Sequence, residues 1–304
     1  MSQIFRTVPE FQAALAEAVS RTPAEPAVVG FVPTLGALHS GHGALLRSAR
    51  ETSDVMVASV FVNPLQFDDD ADYLHYPRQL ESDAALLAEH GTDLILAPEL
   101  EEMYPSHPGD AEAPAPQLRV SAGEMGRMWE GASRPGHFDG VATVVAKLFS
   151  IVAAPLGGAK LEAWFGEKDA EQLAIIRRLV TDLSLPATVR ALPTVRDQNG
   201  LALSSRNQRL SAEEYDSALA LSRALRALAG QAEAGEPLDV DRQAAQLNAA
   251  EGVDLDYLVV VDPSTLREVD LQEAVPLARE ALALIAARVG PVRLIDNMRL
   301  VPTV

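Results

Sequence analysis

Two short valine-rich runs, Ala27–Val32 (AVVGFV) and Asp54–Val62 (DVMVASVFV), bracket a segment of helical periodicity at Gly43–Glu51. Neither run alternates polar with apolar residues, so each reads as a strand covered on both faces. A strand, a helix and a second strand within about 30 residues make a parallel crossover unit. The helical stretch Leu80–His90 and the run Asp93–Ala97 (DLILA) continue the alternation. Helical period returns at Val141–Val152 and at Lys168–Leu183, where Leu173, Ile176, Val180 and Leu183 make one apolar stripe. The pattern predicts an α/β, Rossmann-like doubly wound parallel sheet.

Around Pro193 the character changes. Helices are expected at Ala212–Ala234 and Asp241–Ala250, a strand at Asp256–Val261 and a last helix near Pro276–Val289. A chain of 304 residues has room for two domains. We place them at residues 1–193 and 194–304, the second a smaller α+β domain able to close over the first. Tyr104–Pro116, with four prolines, reads as a polar loop, and Gly157–Lys160 (GGAK) as a turn.

Composition excludes several classes of function. With no cysteine, there are no disulfides, thiolate nucleophiles or cysteine metal sites. A formal net charge of −18 repels a phosphate backbone, which argues against nucleic-acid binding. No run approaches the roughly 20 apolar residues that span a bilayer, and the opening residues do not resemble a signal peptide. A cytoplasmic enzyme is expected. A small anionic substrate needs basic residues gathered locally against this global field.

Four segments supply such groups. PTLGALHSGH (Pro33–His42) follows the first strand directly, where α/β folds place ligands and where free N–H groups at a helix start attract phosphate. Gly36 and Gly41 permit close backbone approach, and His39 and His42, three apart, can address one phosphate. The glycine spacing is wrong for a dinucleotide fingerprint, and no third metal ligand is near. The H-x-G-H pattern is similar to that of nucleotidylyltransferases. FVNPLQF (Phe61–Phe67) ends the second strand, with the amides of Asn63 and Gln66 suited to a small hydroxy acid. In FGEKDAEQ (Phe165–Gln172), Lys168, Asp169 and Gln172 share the first turn of a helix, where a lysine can stabilise charge on a transferring phosphate. In PTVRDQNGLALSSRN (Pro193–Asn207), a turn at Gln198–Gly200 precedes two hydroxyls and a guanidinium, which together can grip phosphate.

Taken in order, PTLGALHSGH, FVNPLQF, YPRQLESD, RPGHFDGVATVVAKLF, FGEKDAEQLAIIRRLVTDL and LALSSRN resemble the pantothenate synthetase family. The likeness is dense from Pro33 to Leu210 and thinner at Asp256–Pro263 and Leu294–Met298. It implies a homodimeric ligase that uses ATP with Mg²⁺ to join pantoate to β-alanine through pantoyl-adenylate. It further implies ATP contacts from Leu35, Gly36, Ala37, Leu38, His39, Ser40, Gly41 and His42, with His42 as proton donor. Gly166, Glu167, Lys168, Asp169, Val195, Leu203, Ser204, Ser205 and Arg206 match the remaining ATP contacts. Gln66 and Gln172 match pantoate-binding glutamines, and Gln66 also faces the β-alanine position. His39, His42, Lys168 and Arg206 are the implied charge stabilisers.

Leu35 and Leu203 stand where methionine is frequent, Ala170 and Glu171 replace a Tyr-Gln pair, and Asp68–Asp70 replaces a Gly-Pro-rich stretch. A nucleotidylyltransferase acting on a phosphorylated alcohol would share the histidines but has no need of FVNPLQF or Gln172. An inactive nucleotide-binding regulator would not need Lys168 and both histidines.

Overall fold

The computed structural model describes residues 2–67, 70–105, 116–271 and 275–303, with residues 70–72 described by their backbone alone. The expectations for Asp68–Asp70 and for most of Tyr104–Pro116 fall outside the described residues. The chain divides into two compact units, Met1–Gly166 with Ile175–Leu192, and Glu167–Ala174 with Pro193–Val304.

In the first unit β1 (Gln3–Phe5) leads into α1 (Val8–Arg21), β2 (Val28–Thr34), α2 (Ser40–Thr52) and β3 (Val55–Val60). There follow α3 (Asp70–His75), α4 (Leu80–Glu89), β4 (Leu94–Leu96), the short α5 (Leu100–Met103) and α6 (Trp129–Ser133), and α7 (His137–Ala153). β5 (Lys160–Gly166), α8 (Ala170–Asp182) and β6 (Thr188–Leu192) complete the α/β alternation. Six parallel strands lie in the order β1-β4-β3-β2-β5-β6. Strand order reverses between β2 and β5, and the crevice at the carboxyl ends of such a pair is where doubly wound sheets bind ligands. β2 and β3 run parallel in register from Val29↔Val55 to Thr34↔Val60, so their carboxyl ends lie side by side.

The valine-rich runs become strands for the reason their composition suggests. Val29, Phe31 and Val32 of β2 and Met56, Val57 and Ala58 of β3 are wholly buried, so both faces are covered. Leu46, Leu87 and Ile95 pack with Val32 and Met56 in one apolar cluster. Each such side chain contributes about 1.5–3 kcal/mol by leaving water. On α8 the stripe is shifted from its expected place. Leu173, Ile176 and Leu179 are buried, whereas Leu183 is 49% exposed and lies just past the helix end.

In the second unit α9 (Ala212–Ala234) and α10 (Val240–Asn248) precede a three-stranded antiparallel sheet of β7 (Val253–Val261), β8 (Ala281–Val289) and β9 (Val292–Leu300). Ser211 and Glu214 form a reciprocal capping box at the start of α9, and left-handed Gly235 ends it. Leu221, Leu225 and Leu228 of α9 pack with Val260, Ile285 and Leu294 of the sheet. The helix expected near Pro276–Val289 is instead strand β8. Its alanines and leucines favour helix locally, but β8 is the central strand, buried along nearly its whole length and hydrogen-bonded on both edges. Tertiary pairing overrides the propensity.

Candidate active site

The chain leaves β2 through a turn that only a few conformations allow. Gly36 (φ +83°) and Ala37 (φ +52°) are both left-handed, which costs a residue with a Cβ about 1–2 kcal/mol. Asp83 of α4, 2% exposed, offsets that strain by accepting from the N–H groups of Ala37 (3.0 Å) and Leu38 (2.8 Å). A Cβ at Gly36 would stand 2.9 Å from an Asp83 carboxylate oxygen, so the loop and the carboxylate are fitted to each other. The sequence carries Asp83 only as the last letter of YPRQLESD, with nothing local to mark its role.

His39 then caps α2. Its Nδ1 accepts from Gly41 N–H at 3.1 Å, and His42 Nδ1 accepts from His39 N–H at 3.2 Å, a capping box built from two imidazoles. A ring nitrogen that accepts a backbone N–H carries no proton, so each neutral ring holds its proton on Nε2. The ring centroids are 4.3 Å apart. The N–H groups of His42 and Gly43 turn to the His39 carbonyl. Of the helix-start N–H groups, those of Gly41, His42 and Gly43 are thus committed within the loop, to the ring and the carbonyl of His39. At this corner stand the positive end of the α2 dipole and two imidazoles whose protons are on Nε2.

β3 ends in a 3-10 turn, Pro64–Gln66. Asn63, expected to face a ligand, is completely buried and spent on the fold. Its Nδ2 donates to Gln66 Oε1 (3.0 Å) and Gly140 O (3.1 Å), while its Oδ1 accepts from Leu65 N–H (3.3 Å) and the Tyr104 hydroxyl (3.0 Å). The bond to Oε1 fixes which way the Gln66 amide faces, leaving its NH₂ as the end that can donate to an oxygen-rich ligand. The Gln66 carbonyl is held by Arg134 (3.1 Å) and by His137 Nδ1 (2.8 Å). At Gly140 a Cβ would come within 2.0 Å of the Leu65 carbonyl, so α7 reaches this turn only with glycine there. Tyr104, expected in a polar loop, is 2% exposed. Burial pushes its hydroxyl well above the ordinary phenol value, only partly countered by Arg119, so it stays a donor.

In the second unit a 3-10 turn, Glu167–Asp169, carries Lys168 into α8. Lys168 Nζ lies 3.6 Å from Asp169 Oδ1. Asn297 of β9 donates from one amide nitrogen to the carbonyls of both Glu167 and Lys168, each at 2.8 Å. Glu171, one of the two residues that replace the Tyr-Gln pair, is 7% exposed and accepts from the Tyr257 hydroxyl at 3.2 Å. Leu203 N–H donates to Val195 O at 2.9 Å, closing a hairpin whose turn is held by Asp197. Ser204 caps a 3-10 helix, Ser205–Arg209, through a 3.3 Å bond from Arg206 N–H. Lys168, Ser204, Arg206, Asn207, Arg293 and Asp296 line one small cleft.

Leu35–His42, Gln66 and Gly166 therefore belong to the first unit, and Glu167–Asp169, Gln172, Val195 and Leu203–Arg206 to the second. Lys168, Ser204 and Arg206 line the same cleft. Among the described residues no three His, Asp or Glu side chains converge on a metal position, and no helix is long and apolar enough to cross a membrane.

A profile of pantoate-beta-alanine ligases matches residues 3–299. The chain belongs to this family. Members named pantothenate synthetase include one from Corynebacterium efficiens, 53% identical over 277 residues covering 90% of this chain and 92% of the relative. Another, from Paenarthrobacter aurescens, is 51% identical, covering 88% of this chain and 90% of its own. The crystal structure of pantothenate synthetase from Thermus thermophilus superposes with a TM-score of 0.82 at 44% identity, over 99% of this chain and 100% of that one. The pantoate-beta-alanine ligase of Francisella tularensis, crystallised with beta-gamma ATP and beta-alanine, superposes at 0.73 with 31% identity, over 98% and 97%. The Rossmann-like sheet with a small antiparallel domain is thus the family's fold.

Proposed function

We propose that this ligase condenses pantoate with β-alanine in two steps, through a pantoyl-adenylate. A pantoate carboxylate oxygen attacks the α-phosphorus of ATP, and the P–O bond to the β,γ-phosphates breaks to release pyrophosphate. The amine of β-alanine then attacks the activated carbonyl, AMP leaves with the electron pair of the C–O bond, and the amine sheds a proton. The observation that carries this reading is the locked Gln66 amide, in a chain of this family. An NH₂ held toward one side of a buried turn suits the oxygens of a small hydroxy acid, and a nucleotidylyltransferase for phosphorylated alcohols has no use for it.

The roles follow from the chemistry of each group. Gln66 and Gln172 hold pantoate, with Gln66 also near the β-alanine amine. Leu35–His42, Gly166–Asp169, Val195 and Leu203–Arg206 hold ATP. His39 and His42 present Nε2–H groups, His42 being the proton donor, while Lys168 and Arg206 balance charge growing on the phosphates. Mg²⁺ would arrive on the triphosphate and supply charge neutralisation there, and among the described residues no cluster of His, Asp and Glu is placed to hold it. The second unit, as a lid, would keep water from the mixed anhydride between steps. A homodimer working in the cytoplasm completes the proposal.

The deciding experiment is exchange of labelled pyrophosphate into ATP. It should require pantoate and proceed without β-alanine. Exchange that waits for β-alanine, or ADP as product, would overturn the adenylate route even if pantothenate were formed.

A further inference from the structure

We infer that Asn297, more than a hundred residues downstream, is the positioning residue for Lys168. The inference rests on the reading of Lys168 given above. Asn297 is 5% exposed, and its Nδ2 donates at 2.8 Å to the carbonyls of Glu167 and of Lys168. Those two carbonyls belong to the two peptide planes that meet at the Lys168 Cα. A peptide plane is rigid, so pinning both planes sets φ and ψ of Lys168 and with them the direction of its Cα–Cβ bond. One amide therefore aims one ammonium.

Asn297 is itself held on both sides. Its N–H donates to Asp296 Oδ1 at 2.8 Å, and its carbonyl accepts from Arg196 at 3.1 Å. Arg196 grips Asp296 with two nitrogens, at 2.6 and 2.9 Å, in a pair whose side chains are 16% and 4% exposed. The guanidinium also donates to Gly200 O at 3.1 Å. Arg196 sits in the hairpin that leads to Ser204 and Arg206, both on the cleft that Lys168 lines. The buried pair thus joins the turn carrying Lys168 to the segment carrying the other phosphate-facing groups, with β9 as the common support.

A double-mutant cycle on pyrophosphate exchange tests this, in the full-length enzyme. Asn297→Ala should slow exchange ~10- to 100-fold, the scale of a misplaced catalytic group, with little change in the KM for ATP. Asn297→Asp, which keeps the shape but turns a carboxylate toward the two carbonyls, should be at least as slow. In a Lys168→Ala background neither change should slow exchange further, because the side chain they aim is gone. Losses that multiply across the cycle, or Asn297→Ala at native rate while Lys168→Ala is slow, would overturn the inference. Lys168→Ala at native rate would instead sink the functional reading of Lys168. Thermal unfolding accompanies each variant. Should Asn297→Ala fail to fold, Asn297→Ser, which keeps one donor, takes its place in the cycle.

Discussion

The histidine corner at the end of β2 and the lysine corner at the start of α8 both face phosphate in our reading, yet they are built in opposite ways. The histidine corner is local. His39 and His42 cap each other within one helical turn, and Asp83 braces the loop from α4. The lysine corner is assembled from distant chain, with its turn held by Asn297 and its hairpin by the Arg196–Asp296 pair. A local corner can be lost by a single change in its own motif. A corner of the second kind can also be lost by a change that no motif contains.

The sharpest way to break that contrast is at His42. His42→Ala should slow pyrophosphate exchange about 100- to 10,000-fold, as for loss of a general acid. His42→Asn separates the two duties of the ring, since its side-chain oxygen can replace Nδ1 as acceptor for His39 N–H while Nε2 is lost. It should be nearly as slow as the alanine variant. Recovery toward native rate in His42→Asn would mean that the histidine matters for capping alone. Next in size, Lys168→Ala should cost exchange about 100- to 1000-fold, roughly 3–4 kcal/mol, with thermal unfolding unchanged. The side chain is only 23% exposed but leans on Asp169 and supports no apolar core. Near-native turnover in the purified variant would remove it from the mechanism.

What the sequence discloses follows the same division. The βαβ alternation through β2, β3 and β4 and the H-x-G-H loop are visible because periodicity and local capping act over a few residues, whereas β1, β5 and β6 are not read as strands from the sequence. Asn63 is legible as an amide but not as one consumed by Gln66, Gly140, Leu65 and Tyr104, since two of those partners, Gly140 and Tyr104, lie on distant segments that only the fold brings together. Asn297 and Asp83 give no local sign at all. Strand β8 is misread for a related reason, because ALALIAARV favours helix until strands pair with it on both edges. Two expected glutamines, Gln66 and Gln172, fall in different units, and their shared role is chemical inference.

Gln66 and its support give a middle-sized test. Gln66→Ala and Gln172→Ala should each raise the KM for pantoate by about 5- to 150-fold, the ~1–3 kcal/mol of an unmade buried hydrogen bond, while ATP binding holds. Asn63→Ala should mimic Gln66→Ala, because it frees the amide whose direction it fixes. Calorimetry showing weaker ATP but unchanged pantoate would defeat the assignment of both glutamines.

The smallest expected effect lies in the hairpin before Ser204, where a carboxylate does purely structural work. Burial tends to raise the Asp197 value, but the Tyr215 hydroxyl at 2.5 Å and the N–H groups of Leu201, Asn199 and Gly200 outweigh it, so the carboxyl sits below its ordinary range. The same hydrogen bond pushes the Tyr215 hydroxyl up. A carboxyl whose value is lowered by folding adds stability that is whole above the unfolded value, about pH 4, and drains away as pH falls through the lower folded value. Asp197→Asn abolishes that titration while keeping Oδ1 as an acceptor for the turn. The variant should therefore unfold at a lower temperature than the native chain at pH 7, and the gap between them should shrink as pH falls below about 4. Because the carboxylate is partly open to solvent the gap itself will be modest, and added salt should narrow it. Thermal unfolding of both chains from pH 7 to pH 3 checks this. A gap that stays constant with pH would show that the hairpin is held by shape and backbone geometry, making it another local corner in place of a charge-held one.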